Sequence, residues 1–283
     1  MKRLTALPAV PTYLDRYVAI RDKKHGPTKT QLVAAHALVT QRYADHAQAV
    51  ALDELHALQH GVVPAPVDVA LRACYGSATQ PLKQLKQAIR DAQAPRQLKY
   101  CPMCGTTLPT TFDHYLPAAR FPEFAVHGLN LIPCCALCNS TKDDDWLGQT
   151  GRRQFLHAYL DALPDVQFVK VTLHETPPLP GVGATFSLER PPAVDQAPWD
   201  LIATHFARLK LLARYNERGN AEVAEILADC REFSVHSGGA DVAGFLHGRV
   251  QDRRNAHGRN HWIVVLMEAL ALHPKLRPWT AAA

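Results

Sequence analysis

Two Cys-x-x-Cys pairs, Cys101/Cys104 and Cys135/Cys138, constrain this chain more than any other feature. Each pair offers two thiolates from one tight turn, and four thiolates make the tetrahedral sulfur cage that structural zinc prefers. The expected result is a braced unit in which the metal holds the intervening residues in place. Cys134 competes with its neighbour, but only Cys135 has the two-residue gap to Cys138 that matches the first pair. Cys134 therefore reads as a buried packing cysteine. A redox pair is the alternative, and neither Cys-x-x-Cys is expected in the βαβ setting that it needs. With four sulfurs on it, a Zn²⁺ keeps no open position, so it reads as structural.

Cysteine usage also bears on compartment. Five of the seven cysteines fall between residues 101 and 138. A secreted disulfide protein would spread them to staple distant segments. The N-terminus meets Pro8, Pro11 and Asp15 before any apolar run long enough for a signal peptide. No stretch approaches the roughly 18 apolar residues of a membrane-spanning helix. The chain is expected to be cytoplasmic, with no membrane partner. A hydrophobic content of 47% beside 20% charged residues excludes a disordered chain. The net charge of +5 is unevenly spread, because residues 1–100 hold 14 Lys/Arg against 7 Asp/Glu. That is an electrostatic footprint for nucleic acid, or a solvated basic surface with no partner.

Taken in order, residues 1–28 read as irregular. Apolar residues from Leu32 to Leu55 recur at three- and four-residue steps, as in one long or two short amphipathic helices. Val67 to Cys74 is a short helix followed by a turn at Gly76-Ser77, and Pro81 suits the first turn of a helix over Leu82 to Ala92. Lys83, Lys86 and Arg90 share one face of it, as phosphate contacts or as solvated surface. Phe155 to Ala162 reads as a short helix. Val166 to His174 and Ala184 to Leu188 read as a hairpin across the Pro-rich turn TPPLPGVG. Beyond Trp199 the chain is helical, with breaks at Gly219 and Gly238-Gly239 and an end at Pro274. Arg249, Arg253 and Arg254 cluster on a helical face with Arg259 close behind, as a second nucleic-acid backbone-binding patch or as solvated surface. The expected class is α+β and mostly helical. It has a basic helical region over 1–96, the zinc-braced module over 97–148, and a hairpin-then-helices region over 149–283.

Between the cysteine pairs, Thr110 to His114 reads as the end of a strand, Asn130 to Pro133 as the return strand, and Ala136 onward as a helix. Asp113-His114, Asn130 and Asn139 punctuate that ββα arrangement. With the phrases FDHYLP, FPEF and NLIPCC, this segment resembles the HNH nuclease family, whose core is the ββα-metal fold. The match covers only residues 101–142. Carried over, the resemblance implies a metal-dependent endonuclease acting on DNA, double-stranded by expectation. His114 would be the general base. Asp113 and Asn139 would ligate a catalytic Mg²⁺ or Mn²⁺ through oxygen, and Asn130 would orient the His114 loop. Lys142 would reach a phosphate oxygen. On residues alone, His114 could be structural, Asn130 could satisfy a turn, and Asn139 could cap the helix after Cys138. Glu123 and His127, in the loop between the strands, could touch substrate. His157, Asp161 and His261 carry no chemical role that the sequence assigns.

The resemblance further implies a bacterial anti-phage defence protein, acting as a homo-oligomer or beside an ATPase. The ATPase would be a separate subunit, since this chain has no Gly-x-x-x-x-Gly-Lys-Ser/Thr loop. Two other functions use the same scaffold. One is a non-catalytic zinc-braced module that binds nucleic acid or protein, and the other is an RNase effector.

Overall fold

The computed structural model describes residues 2–76, 78–175, 181–238 and 241–283. Ser77, most of the Pro-rich turn after Glu175, and Gly239 lie outside the described residues. Eleven α-helices and two separate two-stranded antiparallel sheets are present among the described residues, an α+β fold dominated by helix. No described helix is long and apolar enough to cross a membrane. The chain divides into two compact units, one of residues 3–103 and 107–161, the other of residues 1–2, 104–106 and 162–283.

The first unit opens with five helices: α1 (Tyr13–Asp22), α2 (Gly26–Ala34), α3 (His36–Ala51), α4 (Ala65–Gly76) and α5 (Gln80–Asp91). The helix α1 corrects the irregular reading of residues 1–28. Thr12 and Asp15 form a reciprocal capping box, with the Asp15 N–H on Thr12 Oγ1 at 3.0 Å and the Thr12 N–H on Asp15 Oδ2 at 2.8 Å. Tyr17 and Ile20, one turn apart, are then buried. In α5 the buried side chains are Leu82, Leu85 and Ile89. That spacing leaves Lys83 exposed and Lys86 and Arg90 half-buried at its edge. Strands β1 (Thr111–His114) and β2 (Leu131–Cys134) pair with Asp113 opposite Ile132, and α6 (Ala136–Lys142) follows at once.

The expected helix over Phe155–Ala162 is absent; this stretch is a set of turns. Asp161 takes over the local bonding, accepting from the His157 N–H at 2.6 Å and from both terminal nitrogens of Arg153 at 2.9 Å. A side chain that bonds its own backbone so strongly competes with helix formation. His157 and Asp161 thus have structural partners.

The other unit is built on β3 (Val169–Glu175) and β4 (Val182–Leu188), covered by α7 (Gln196–Arg208), α8 (Leu211–His236), α9 (Val242–His257), α10 (Trp262–Leu272) and α11 (Leu276–Ala282). The break expected at Gly219 does not occur, and α8 runs straight through it. Its backbone lies so close to β4 that a Cβ there would meet Phe186 at 3.0 Å and Ala184 at 3.2 Å. Asn216 and Asn220 on the same face accept the N–H groups of Phe186 at 2.7 Å and Ala184 at 3.0 Å, which closes the sheet edge. Pro274 ends α10, but the chain turns into α11 and buries Leu276 and Trp279.

One feature of the first unit's core has a measurable consequence. His46 on α3 and His127 meet with ring centroids 4.4 Å apart and planes tilted by 46°, and Tyr43, Phe124 and Tyr13 complete the cage. Neither nitrogen of His46 has a hydrogen-bond partner among the described residues. Burial pushes His46 down to about 4, with the Arg42 guanidinium adding to the effect, and burial holds His127 and His157 well below the ordinary histidine range. Arg42, Glu123, His157 and Arg153 are the charged and titratable groups nearby. Because the folded value lies below the unfolded one, the unfolded chain takes the proton first. Stability is therefore present above pH 6.5 and is lost as pH falls from there toward 4. His46 alone accounts for roughly 3 kcal/mol across that window. Urea midpoints should fall between pH 7.5 and pH 5, and His46→Leu should flatten that slope. An unchanged slope in the variant would remove His46 from the acid sensitivity.

Candidate active site

Four cysteine sulfurs, from Cys101, Cys104, Cys135 and Cys138, lie within 4.8 Å of one another and are buried. Zinc–thiolate bonds of about 2.3 Å in a tetrahedron place sulfurs roughly 3.8 Å apart, so the cluster could hold a metal such as zinc. The backbone is arranged for thiolates. The Cys135 N–H donates to Cys101 Sγ at 3.3 Å, and the Cys138 N–H donates to Cys135 Sγ at 3.4 Å. Gly105, at φ +70°, gives the first Cys-x-x-Cys its left-handed exit. The carbonyls of that turn are taken by Tyr215 on Cys104 at 3.0 Å, Trp262 on Gly105 at 2.9 Å and Arg218 on Thr106 at 3.0 Å. Cys134 stands apart from the cluster, beside Thr111. Burial pushes its thiol up to about 12, which keeps it protonated.

The cluster fixes the start of α6 against the end of β2, and α6 in turn meets the end of β1. His114 closes β1. A carbonyl can only accept, so His114 Nε2 carries the proton that it gives to the Ala125 carbonyl at 2.9 Å. That leaves Nδ1 as the basic nitrogen. Burial pushes His114 down to about 4, with Lys142 and Lys86 adding to it and the Ala125 carbonyl opposing it. The imidazole is therefore neutral at neutral pH, with Nδ1 unprotonated.

Asn130 holds the loop that follows His114. Its Oδ1 accepts from the Leu116 N–H at 2.7 Å, and its amide nitrogen donates to the carbonyls of Leu116 and Phe124, both at 3.1 Å. Both polar atoms of the side chain are bonded to backbone, a loop-bracing role.

His114 and Asn139 line one cleft of about 580 Å³, with Tyr75, Lys83, Lys86, Gln87 and Arg90 on its helical wall. Thr110, Thr111 and Phe112 supply the rest of its lining. The three α5 cations expected to touch phosphate are thus beside His114, although they come from outside the ββα segment. Arg249 and Arg253, on α9, belong to the other unit. Arg249 is paired there with Asp229 at 2.7 Å.

Asp113 and Lys142 differ most from expectation. The Asp113 carboxylate is buried, and Lys142, wholly buried, reaches it from α6. Its ammonium donates to Asp113 Oδ1 at 3.3 Å and to the His114 carbonyl at 2.9 Å. Lys142 Nζ also lies 3.1 Å from Oδ2, though outside hydrogen-bond geometry, so that oxygen has no hydrogen-bond partner among the described residues. Burial raises the Asp113 carboxyl above the usual range, and the Lys142 charge and hydrogen bond oppose that rise. Lys142 thus does not stand at the surface awaiting phosphate; it anchors Asp113. Asn139, three residues earlier on α6, shares its face.

Removing one partner of a buried pair strands the other charge, so Lys142→Met should cost about 3–5 kcal/mol of unfolding free energy. Urea denaturation against wild type measures it, and a loss under about 1 kcal/mol would mean the pair is not holding the site.

Glu123 and His127 do not face the cleft. Glu123 is buried and its Oε1 accepts from Arg42 Nε at 2.8 Å, while His127 is in the aromatic cage with His46. His261 is buried at the start of α10, in ring contact with His257 and Trp262. The sequence reading missed the Ala125 carbonyl and Tyr75. No pattern in the chain marks a backbone acceptor, and Tyr75 lies well before the two Cys-x-x-Cys pairs in sequence.

Fold and site together define a mixed α+β protein with a buried four-cysteine cluster beside a histidine-lined cationic cleft. Over 163 residues the chain is 27% identical to Protein ea31 of Escherichia phage lambda, covering 53% of this chain and 54% of that protein. It therefore spans about half the length of that relative. No protein-family profile and no solved structure matches it.

Proposed function

We propose that the chain is a metal-dependent endonuclease of HNH type that hydrolyses phosphodiester bonds in DNA. The observation that carries this reading is His114. Its Nε2 is committed to a backbone carbonyl, its ring is neutral with Nδ1 unprotonated, and it lines a cleft walled by three cations. A phosphodiester needs both features, a base for the attacking water and positive charge for its own anion.

Asp113 and Asn139 would hold the divalent ion. The donor set is all oxygen, which suits Mg²⁺ or Mn²⁺, and Asp113 Oδ2 accepts no hydrogen bond among the described residues, its neighbour being the Lys142 ammonium at 3.1 Å. When bound, such an ion would stabilise charge on the scissile phosphate and on the leaving 3′-oxygen. His114 Nδ1 takes the proton of the attacking water. Asn130 holds the loop beyond His114, and Lys142 fixes the direction of the Asp113 carboxylate. Lys83, Lys86 and Arg90 hold the strand. A part in anti-phage defence and a separate ATPase subunit rest on the resemblance alone.

The test is incubation of the purified protein with supercoiled plasmid and Mg²⁺ or Mn²⁺, with single- and double-stranded RNA in parallel. Metal-dependent nicking or linearisation supports the reading. Cleavage of RNA only would move the substrate class, and intact nucleic acid under both metals would sink the proposal.

A further inference from the structure

We propose that Tyr75, carried on the last turn of α4, is a positioning residue for His114. The inference rests on the nuclease reading and extends it beyond the ββα segment. A single hydrogen bond from Nε2 to Ala125 fixes one point of the imidazole, but not the plane of the ring. The lone pair on Nδ1 lies in that plane, so a tilt about the bonded nitrogen would misdirect the base. Tyr75 supplies the missing constraint. Its ring meets that of His114 edge to face, with centroids 4.4 Å apart and planes at 70°.

Tyr75 is itself held at two places. Its hydroxyl donates to the Phe112 carbonyl at 3.4 Å, in the strand that carries His114. The Lys86 ammonium lies 3.9 Å from its ring centroid, a cation–π contact that pins the ring from α5. Tyr75 is no plain core residue. The buried positions of α4 are Ala70, Leu71 and Cys74, whereas Tyr75 is half-exposed and lines the cleft. The helical region that precedes the cysteines thus completes the site as well as charging its wall.

Misplacing a reacting group by about 1 Å costs on the order of 100-fold in rate. Tyr75→Ala should accordingly lower kcat by roughly 10- to 100-fold with KM within about 2-fold, since the residue aims the base and does not grip the substrate. Tyr75→Phe keeps the ring and should retain kcat within about 3-fold. Nitrogen-15 NMR of the imidazoles gives a readout that needs no activity and that loss of the tyrosine's own ring current barely moves. The His114 nitrogen signals, assigned by their loss in His114→Ala, should report one tautomer with the proton on Nε2 in wild type and Tyr75→Phe, and should shift toward a mixture in Tyr75→Ala. Those of the buried His46 and His127 should not move in either variant. Wild-type kcat in a folded Tyr75→Ala, or unmoved His114 signals, would overturn the proposal while leaving the nuclease reading intact. Wild-type protein that cuts nothing would sink the nuclease reading instead, and the NMR shifts would still decide whether Tyr75 holds His114.

Discussion

Replacing His114 by alanine is expected to lower plasmid cleavage by on the order of 10²–10⁴-fold while leaving the protein folded. The size follows from what the imidazole does. On the proposed mechanism, without the imidazole the attacking water would lose its proton to solvent, while the α5 cations and the proposed metal ligands would continue to bind substrate. The loss should therefore fall on kcat, with KM little changed. Folding should survive, because His114 is only half-buried and its ring's hydrogen bond among the described residues goes to a carbonyl that can turn to water. Circular dichroism and melting temperature check that arm. Gln at the same position is a sharper variant, since its amide can still donate to Ala125 but is no base. If His114→Gln cuts as well as wild type, the residue is structural and the assignment of the base is wrong.

The part of the site that could be read from sequence is the part whose chemistry is local. Cys101, Cys104, Cys135 and Cys138 have a spacing that hardly any other structure requires, and the strands and helix between and after them follow from a short alternation and a cap. Lys142 shows where such reading stops. Its position one turn from Asn139 was visible, but whether a lysine reaches outward to solvent or inward to a carboxylate depends on packing that no local pattern encodes. Burial decided it, because an Asp113 carboxylate beneath the strand would be unpaired without that ammonium. Tyr75 is further from legibility still, since nothing near it in the chain announces a histidine that only the fold brings alongside. Gly219 and Phe155–Ala162 failed for opposite reasons. A glycine read as a helix break was a close helix–strand approach, and an apolar periodicity read as helix lost to the hydrogen bonds of Asp161.

Loss of the four-cysteine metal should have the largest effect on this molecule. A structural zinc contributes an apparent 10–16 kcal/mol where it has been measured in small domains, and a whole domain is stable by only about 5–15 kcal/mol. Purified protein should contain one zinc per chain. Cys101→Ser, or a strong zinc chelator, should unfold the segment from Cys101 to Lys142 and abolish cleavage with it. Cys101 is the apt position because its sulfur also accepts the Cys135 N–H, so its loss breaks the second Cys-x-x-Cys as well. Cys134→Ser is the control. That thiol is buried outside the cluster and kept protonated, so the variant should keep its zinc and lose only a packing increment of about 1–2 kcal/mol. The zinc and the proposed catalytic ion separate in the same experiment. Withholding Mg²⁺ and Mn²⁺ from zinc-loaded protein should stop cleavage without moving the melting temperature, whereas removing zinc should move both. A Cys101→Ser protein that melts and cuts like wild type would show that the cluster braces nothing.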